Sequence, residues 1–294
     1  MRSEAEAGAV PHVHVDDDAL HLIDLALNED RGTGDVTTKW TVTARARAEA
    51  RIVAKARGVI AGLEVARAVF VRIDPRAELA PAVRDGDRVA LGDVVCTIEG
   101  PARAVLTGER VALNFLQRLS GIATMTRAYV DEVQGTGARI LDTRKTTPGW
   151  RTLEKAAVRA GGGANHRAGL YDMVLLKENH IAMAGGIAAA LDMVADQNRK
   201  GVPVEIEVRN LDELEQAFHA GAERVLLDNM TLDEMRAAVQ RARRAKRPPR
   251  LEASGNMTLD RVRSVAETGV DDISVGALTH SAVALDLSMQ VHAL

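Results

Sequence analysis

The sequence predicts an α/β barrel carried behind a smaller α+β domain, and three observations lead there. After Gly137, the short apolar runs ARILD, DMVLLK, PVEIEV, RVLLDN, RLEAS and DISVG alternate with helical stretches. Such strand-then-helix repetition builds parallel strands covered by helices, either as a barrel or as a doubly wound sheet. Each strand candidate also ends on polar groups, which a barrel gathers around one mouth, whereas a doubly wound sheet gathers only those at its switch point. Before residue 135, by contrast, the pattern is irregular. The 294 residues, 46% hydrophobic, suffice for one large core and a smaller domain.

Taken in order, residues 1–19 read as a flexible terminus, with His12 and His14 on a mobile acidic end that is a poor metal site. Residues 20–135 read as the first domain. It holds a helix at HLIDLALNED, a Gly/Thr loop at RGTGDVTT, a strand at ARIVAKARGVIAG, a helix at LEVARAVFVRI, a turn at RDGDRV and a strand at DVVCTIEG. A long helix from Leu106 to Val133 repeats Val111, Phe115, Leu119 and Ile122 at helical spacing, with Arg110, Asn114, Gln117, Arg118 and Gly121 on a different face. Residues 136–294 read as the barrel, ending in a helix at SAVALDLSMQV, with a return to the first domain near the C-terminus left open.

The formal charge of −3 argues against a protein built to coat nucleic acid. No apolar run reaches the roughly 20 residues that span a bilayer. The lone Cys96 excludes an intrachain disulfide framework, so a reducing cytoplasmic setting is expected.

Charge is uneven, however. Between Thr143 and Lys177 stand Arg144, Lys145, Arg151, Lys155, Arg159, Arg167 and Lys177, against Glu154 and Asp172 alone. Arg144 and Lys145 follow ILDT beside a loop rich in threonine and glycine, which favours ligand contact over solvated surface charge. His166 and Arg167 follow three glycines, where backbone can approach a ligand and a guanidinium can fork a carboxylate or phosphate. Lys177 closes the apolar run MVLL; the bland reading is a buried salt bridge to Glu207 or Asp228. Those two carboxylates suit Mg²⁺, which takes one or two carboxylates plus substrate oxygens. Glu252 and Ser254 can simply hydrogen-bond within the barrel. Ser254–Asn256 and the stretch around Gly276 follow the last two strands, where barrels receive phosphate. Together these residues suit two anionic substrates whose repulsion the protein must offset.

The segments DTRKTTPGWR, GGGANHRAGLYDMVLLKENHI, EIEVRNLDEL, VLLDNM, LEASGN and DDISVGALTHSA, with GDVTT and GERVALNFLQRLSGIAT before them, closely resemble quinolinate phosphoribosyltransferases over nearly all the chain after residue 20. The resemblance implies an N-terminal α/β sandwich domain and an incomplete, seven-stranded, TIM-like α/β barrel, in a homodimer with shared active sites; pairing of dimers into hexamers is left open. It implies Mg²⁺-dependent transfer of phosphoribose from phosphoribosyl pyrophosphate to quinolinate, giving nicotinate mononucleotide, diphosphate and CO₂ for NAD biosynthesis. Lys145, Lys177, Glu207 and Asp228 would be catalytic. Arg144, His166, Arg167 and Lys177 would contact quinolinate, with Arg110 supplied by the partner. Lys145 and Lys177 would also face the phosphoribosyl side. Glu207 and Asp228 would serve the ribose hydroxyls and metal, and Ser254, Gly255, Asn256, Gly276 and Ala277 would line the terminal phosphate pocket. Ala164, Trp150 and Asp272 depart from the usual pattern. Competing readings are a nicotinate phosphoribosyltransferase, a molybdenum-associated relative, a non-catalytic anion-binding barrel and a Lys177 Schiff-base aldolase.

Overall fold

The computed structural model describes residues 13–294. The chain forms two compact units: one comprises the chain up to Arg127 with Thr146–Gly162 and Leu278–Leu294, the other Ala128–Lys145 with Gly163–Ala277. The division is discontinuous; the sequence suggested a cut after residue 135 and left open a return to the first domain near the C-terminus. His12 and the rest of residues 1–12 lie outside the described residues, while Asp17–Ala19, expected to be flexible, already open a helix.

With elements numbered in chain order, the first unit contains helices α1 (Asp17–Arg31), α2 (Val36–Thr41), α3 (Leu63–Ile73), α4 (Ala102–Glu132, as far as Arg127) and α5 (Arg151–Ala160). Of the stretch read as a Gly/Thr loop, residues 32–35 form the turn and its end, residues 36–38, opens α2, where the Asp35 carboxylate accepts from Thr38 N at 2.9 Å and caps the helix. An antiparallel sheet runs β12 (Leu287–Ala293), β1 (Arg47–Ala54), β5 (Val94–Pro101), β3 (Glu78–Pro81), and a small ladder pairs β2 (Gly58–Val59) with β4 (Arg88–Val89). Helix α3 buries Leu63, Val65, Ala66, Val69 and Phe70 along one face.

The expected last helix is strand β12. Leu287, Met289, Val291 and Ala293 alternate with polar residues and lie opposite Ala54, Ile52, Ala50 and Ala48 of β1, so period two prevails over the helical reading. The preceding segment presses so closely on α4 that a Cβ at Gly121 would stand 2.1 Å from Val283 O. Trp150 stacks on the buried Phe115 at 4.6 Å between centroids, which gives the unusual tryptophan a packing role.

The second unit is a parallel sheet ordered β6 (Arg139–Leu141), β11 (Asp272–Ser274), β10 (Arg250–Ser254), β9 (Arg224–Asp228), β8 (Val204–Val208), β7 (Val174–Leu176). Helices α6 (Glu178–Ala184), α7 (Ile187–Gln197), α8 (Leu211–His219), α9 (Leu232–Arg244) and α10 (Leu259–Ala266) connect the strands. Seven strands were expected and six are formed among the described residues; the seventh place is a single bridge. Ala164 pairs in parallel with Leu141 on the far side of β6, through Ala164 N to Ile140 O at 2.8 Å and Asp142 N to Ala164 O at 3.1 Å. Cyclic order therefore follows chain order, and the one missing ladder falls between Ala164 and β7.

Asp272 begins β11 fully buried, and the surroundings account for it. Arg139 Nε donates to its carboxylate at 2.9 Å, Arg250 binds it through Nε and Nη2, and Arg224 Nη2 stands 3.9 Å away. Burial pushes this carboxyl up, but the hydrogen bonds from Arg250 and Arg139 outweigh it and hold the group below the usual aspartate value.

Candidate active site

Parallel strands bring their C-terminal ends to one side of the sheet, and the residues singled out in the second unit cluster there. Beyond β6, the buried Asp142 accepts from Asn165 Nδ2 at 2.5 Å and from His166 N at 2.8 Å. It thereby ties the loop of Asn165 and His166 to the segment that leads from β6 to Arg144 and Lys145, both exposed. Arg167, on that loop, donates through Nη1 to Met173 O at 3.3 Å. Burial and then the nearby Arg144 charge push its guanidinium below its ordinary value, the mark of two cations crowded where an anion can relieve them.

At the end of β7, Lys177 Nζ donates to Glu207 Oε2 at 2.8 Å. The lysine side chain is 50% exposed and that of Glu207 14%, so this is an open ion pair and not the buried bridge of the bland reading. Asp228 ends the neighbouring β9 in register with Ser254 of β10.

The turns beyond β9 and β10 hold Asn229 (φ 53°) and Asn256 (φ 48°), the two non-glycine residues with left-handed backbone among those described. Asn229 N donates to Ser254 O at 3.0 Å. A Cβ at Gly255, where φ is 98°, would stand 2.1 Å from Asn229 Oδ1, so only glycine fits between the turns. Helix α10 starts only at Leu259, so the turn at residues 254–256 stands clear of the helix terminus. Gly276 and Ala277 follow β11, whose end is tied to β6 through Val275 N and Leu141 O at 2.9 Å.

Below this rim, His166 is drawn inward. Its Nε2 lies 2.9 Å from Glu205 Oε2 and 3.3 Å from Glu252 Oε2, and its Nδ1 accepts from Arg167 N at 2.7 Å. Burial disfavours a charged ring, but the hydrogen bonds to Glu205 and Glu252 prevail and His166 is pushed up to about 9. Glu252 is raised as well, chiefly by burial. Because Nδ1 already accepts from Arg167 N, the ring presents Nε2–H to the two carboxyl groups, and the extra proton belongs to the trio as a whole. Glu205, Asp142 and Asn165 were missed from the sequence; the alternation of Glu205 with Glu207 along β8 was the available clue. Arg110 is exposed on α4 of the first unit.

As a donor set for Mg²⁺, Glu207 and Asp228 offer oxygens only, on adjacent strand ends, and a third acidic or histidine ligand does not join them among the described residues. That fits a hard cation carried largely by substrate oxygens.

The fold and this mouth define an α/β-barrel enzyme lined for polyanionic substrates. Residues 35–120 match the family described as Quinolinate phosphoribosyl transferase, N-terminal domain, and residues 122–290 match its C-terminal domain. The chain belongs to the quinolinate phosphoribosyltransferase family. It is 40% identical over 297 residues to the decarboxylating quinolinate phosphoribosyltransferase 1b of Nicotiana tabacum, covering 96% of this chain and 84% of that one. A protein of Synechocystis named a probable carboxylating nicotinate-nucleotide pyrophosphorylase is 46% identical over 265 residues, 90% of each chain. The nicotinate-nucleotide pyrophosphorylase structure from Francisella tularensis superposes with a TM-score of 0.89 at 38% identity, over 97% of this chain and 99% of that one. No helix among the described residues is long and apolar enough to cross a membrane.

Proposed function

We infer that the protein transfers the phosphoribosyl group of phosphoribosyl pyrophosphate to the ring nitrogen of quinolinate and releases diphosphate and CO₂, making nicotinate mononucleotide for NAD biosynthesis. The observation that carries this reading is the mouth itself: Arg144, Lys145, Arg167 and Lys177 stand with Glu207 and Asp228 on the strand ends of a chain of this family.

Arg144, Arg167 and Lys177 receive the pyridine carboxylates, with His166 at the base of their loop. Lys145 and Lys177 face the phosphoribosyl side, and Ser254, Gly255, Asn256, Gly276 and Ala277 enclose its terminal phosphate. As the C1–O bond breaks, its electron pair leaves with diphosphate, and Glu207 and Asp228 stabilise the positive charge growing on the ribose. The quinolinate nitrogen donates its lone pair to C1 and becomes quaternary. When the adjacent carboxylate leaves as CO₂, its bonding electrons stay on C2 beside the cationic nitrogen until C2 takes up a proton, so a protein nucleophile is unnecessary. Glu207 and Asp228 would hold Mg²⁺ together with substrate oxygens, and the ion would supply charge neutralisation for the leaving diphosphate.

Arg110 serves this site from the partner in a cytoplasmic homodimer. The test is purified protein with quinolinate, phosphoribosyl pyrophosphate and Mg²⁺, nicotinate being the parallel substrate. Equimolar nicotinate mononucleotide and CO₂ from quinolinate alone are expected; turnover of nicotinate without CO₂, or binding without turnover, refutes the reading.

A further inference from the structure

We propose that Glu205 and Glu252 are positioning residues that act through His166 to set Arg167 for a carboxylate of the pyridine substrate, a role that rests on the function inferred above.

Barrel interiors are ordinarily filled by branched apolar side chains, and a buried carboxylate without full hydrogen bonding destabilises relative to an apolar residue of the same size. Here two carboxylates, each with its side chain 1% exposed, stand in the middle of the sheet on β8 and β10. Glu205 is compensated by His166 at 2.9 Å and, more distantly, by Arg224 Nε at 3.7 Å. Glu252 meets His166 Nε2 at 3.3 Å and the Ser274 hydroxyl, with no basic side chain beside it other than the imidazole among the described residues. Fold stability alone gives little reason for this pair.

The geometry supplies one. His166 reaches from the mouth loop into the interior, its side chain only 7% exposed. One ring nitrogen faces the two carboxylates, and the other receives the backbone N–H of Arg167 at 2.7 Å. A planar ring engaged on both nitrogens has one orientation left, so the carboxylates fix the ring and the ring fixes the Arg167 backbone. Asp142 holds the same loop from the β6 side through His166 N and Asn165 Nδ2. The guanidinium at the mouth is thus aimed from below, by residues that the substrate need not touch. His166 accordingly contributes by placing its neighbour, and less by its own charge.

Glu205→Gln and Glu252→Gln keep shape and remove a carboxyl group from the set that orders the ring. Each should weaken quinolinate binding, measured by calorimetry and as KM, about tenfold, while KM for phosphoribosyl pyrophosphate and kcat change less than about twofold. Glu205→Asp and Glu252→Asp, which retain the carboxyl group at shorter reach, should recover part of the affinity. In a His166→Ala background, Glu252→Gln should add no further loss, since the two act in series. Quinolinate affinity unchanged in the glutamine variants, even with a lowered thermal midpoint, would make the carboxylates purely structural and overturn the proposal. So would a full additional loss in the His166→Ala background. A wild-type protein that neither binds nor converts quinolinate would remove the functional reading itself; one that does both, beside variants of equal affinity, removes the positioning role alone.

Discussion

Lys177 Nζ lies 2.8 Å from Glu207 Oε2, tying the end of β7 to the end of β8 at the mouth of the barrel. With half the lysine side chain exposed, the pair contributes only about 0–1 kcal/mol to folding. In the proposed reaction, a cation and a carboxylate held by each other would face a substrate carrying both negative charge and developing positive charge. Lys177→Met should therefore leave the thermal midpoint within about 3 °C and lower kcat/KM by about a hundredfold or more. Steady-state kinetics beside a melting curve decides it: a large drop in midpoint with activity retained would make the pair a fold contact.

Gly255 has no room for a side chain, because its φ is 98° and a Cβ would meet Asn229 Oδ1 at 2.1 Å. Gly255→Ala should push the two turns beyond β9 and β10 apart. KM for phosphoribosyl pyrophosphate should rise about tenfold or more while quinolinate affinity holds. Equal losses for both substrates would place this turn outside a dedicated phosphate pocket.

Asp272 is surrounded by Arg139, Arg250 and Arg224. Asp272→Asn should destabilise the protein by about 2–3 kcal/mol in urea unfolding, the arginines being partly solvated. The folded carboxyl is held below its ordinary value of 3.8, so this stabilisation is present above the unfolded value and lost as pH falls through the folded one. Wild type and variant should thus converge in stability in acid; a difference constant down to about pH 2 would contradict the assignment.

Much of this was legible beforehand because it is local. Helix α3 coincides with LEVARAVFVRI, and the strand ends carry the polar residues that the pattern singled out. What escaped depended on partners distant in the chain. Period two in Leu287–Ala293 was visible, yet only pairing with β1 makes it a strand. The seventh strand survives as Ala164 alone because its loop turns inward at His166 instead of extending along β6. Glu205 looked like one more charge in EIEV until β10 brought Glu252 beside the same imidazole. Asp272 looked misplaced until the arginines at the same end of neighbouring strands were seen to meet it.

The His166–Glu205–Glu252 trio predicts a pH dependence of the opposite sign to that of Asp272. In the folded chain the trio retains its proton to about 9, whereas an unfolded histidine releases it near 6.5. The folded state binds that proton more tightly, so stability is fully present below about 6.5 and declines as pH rises toward 9. Urea unfolding between pH 6.5 and 9.5 should show this decline, and Glu252→Gln should flatten it. A wild-type stability that stays level or climbs across the window would mean that the trio is not holding an extra proton.

Arg110 stands exposed on α4 in the first unit, while Lys145 belongs to the second. If the partner subunit supplies Arg110, then Arg110→Ala and Lys145→Ala, each inactive alone, damage different contributors to one shared site. In a mixed dimer, one site then combines both lesions and the other combines neither. Refolding equal amounts of the two variants should give about half the chains as heterodimers, each with one repaired site, so about a quarter of wild-type activity should return. The assay is turnover after mixing, with heterodimers verified by differently tagged chains. Verified heterodimers with no recovered turnover would place Arg110 in its own subunit's site or outside the reaction altogether.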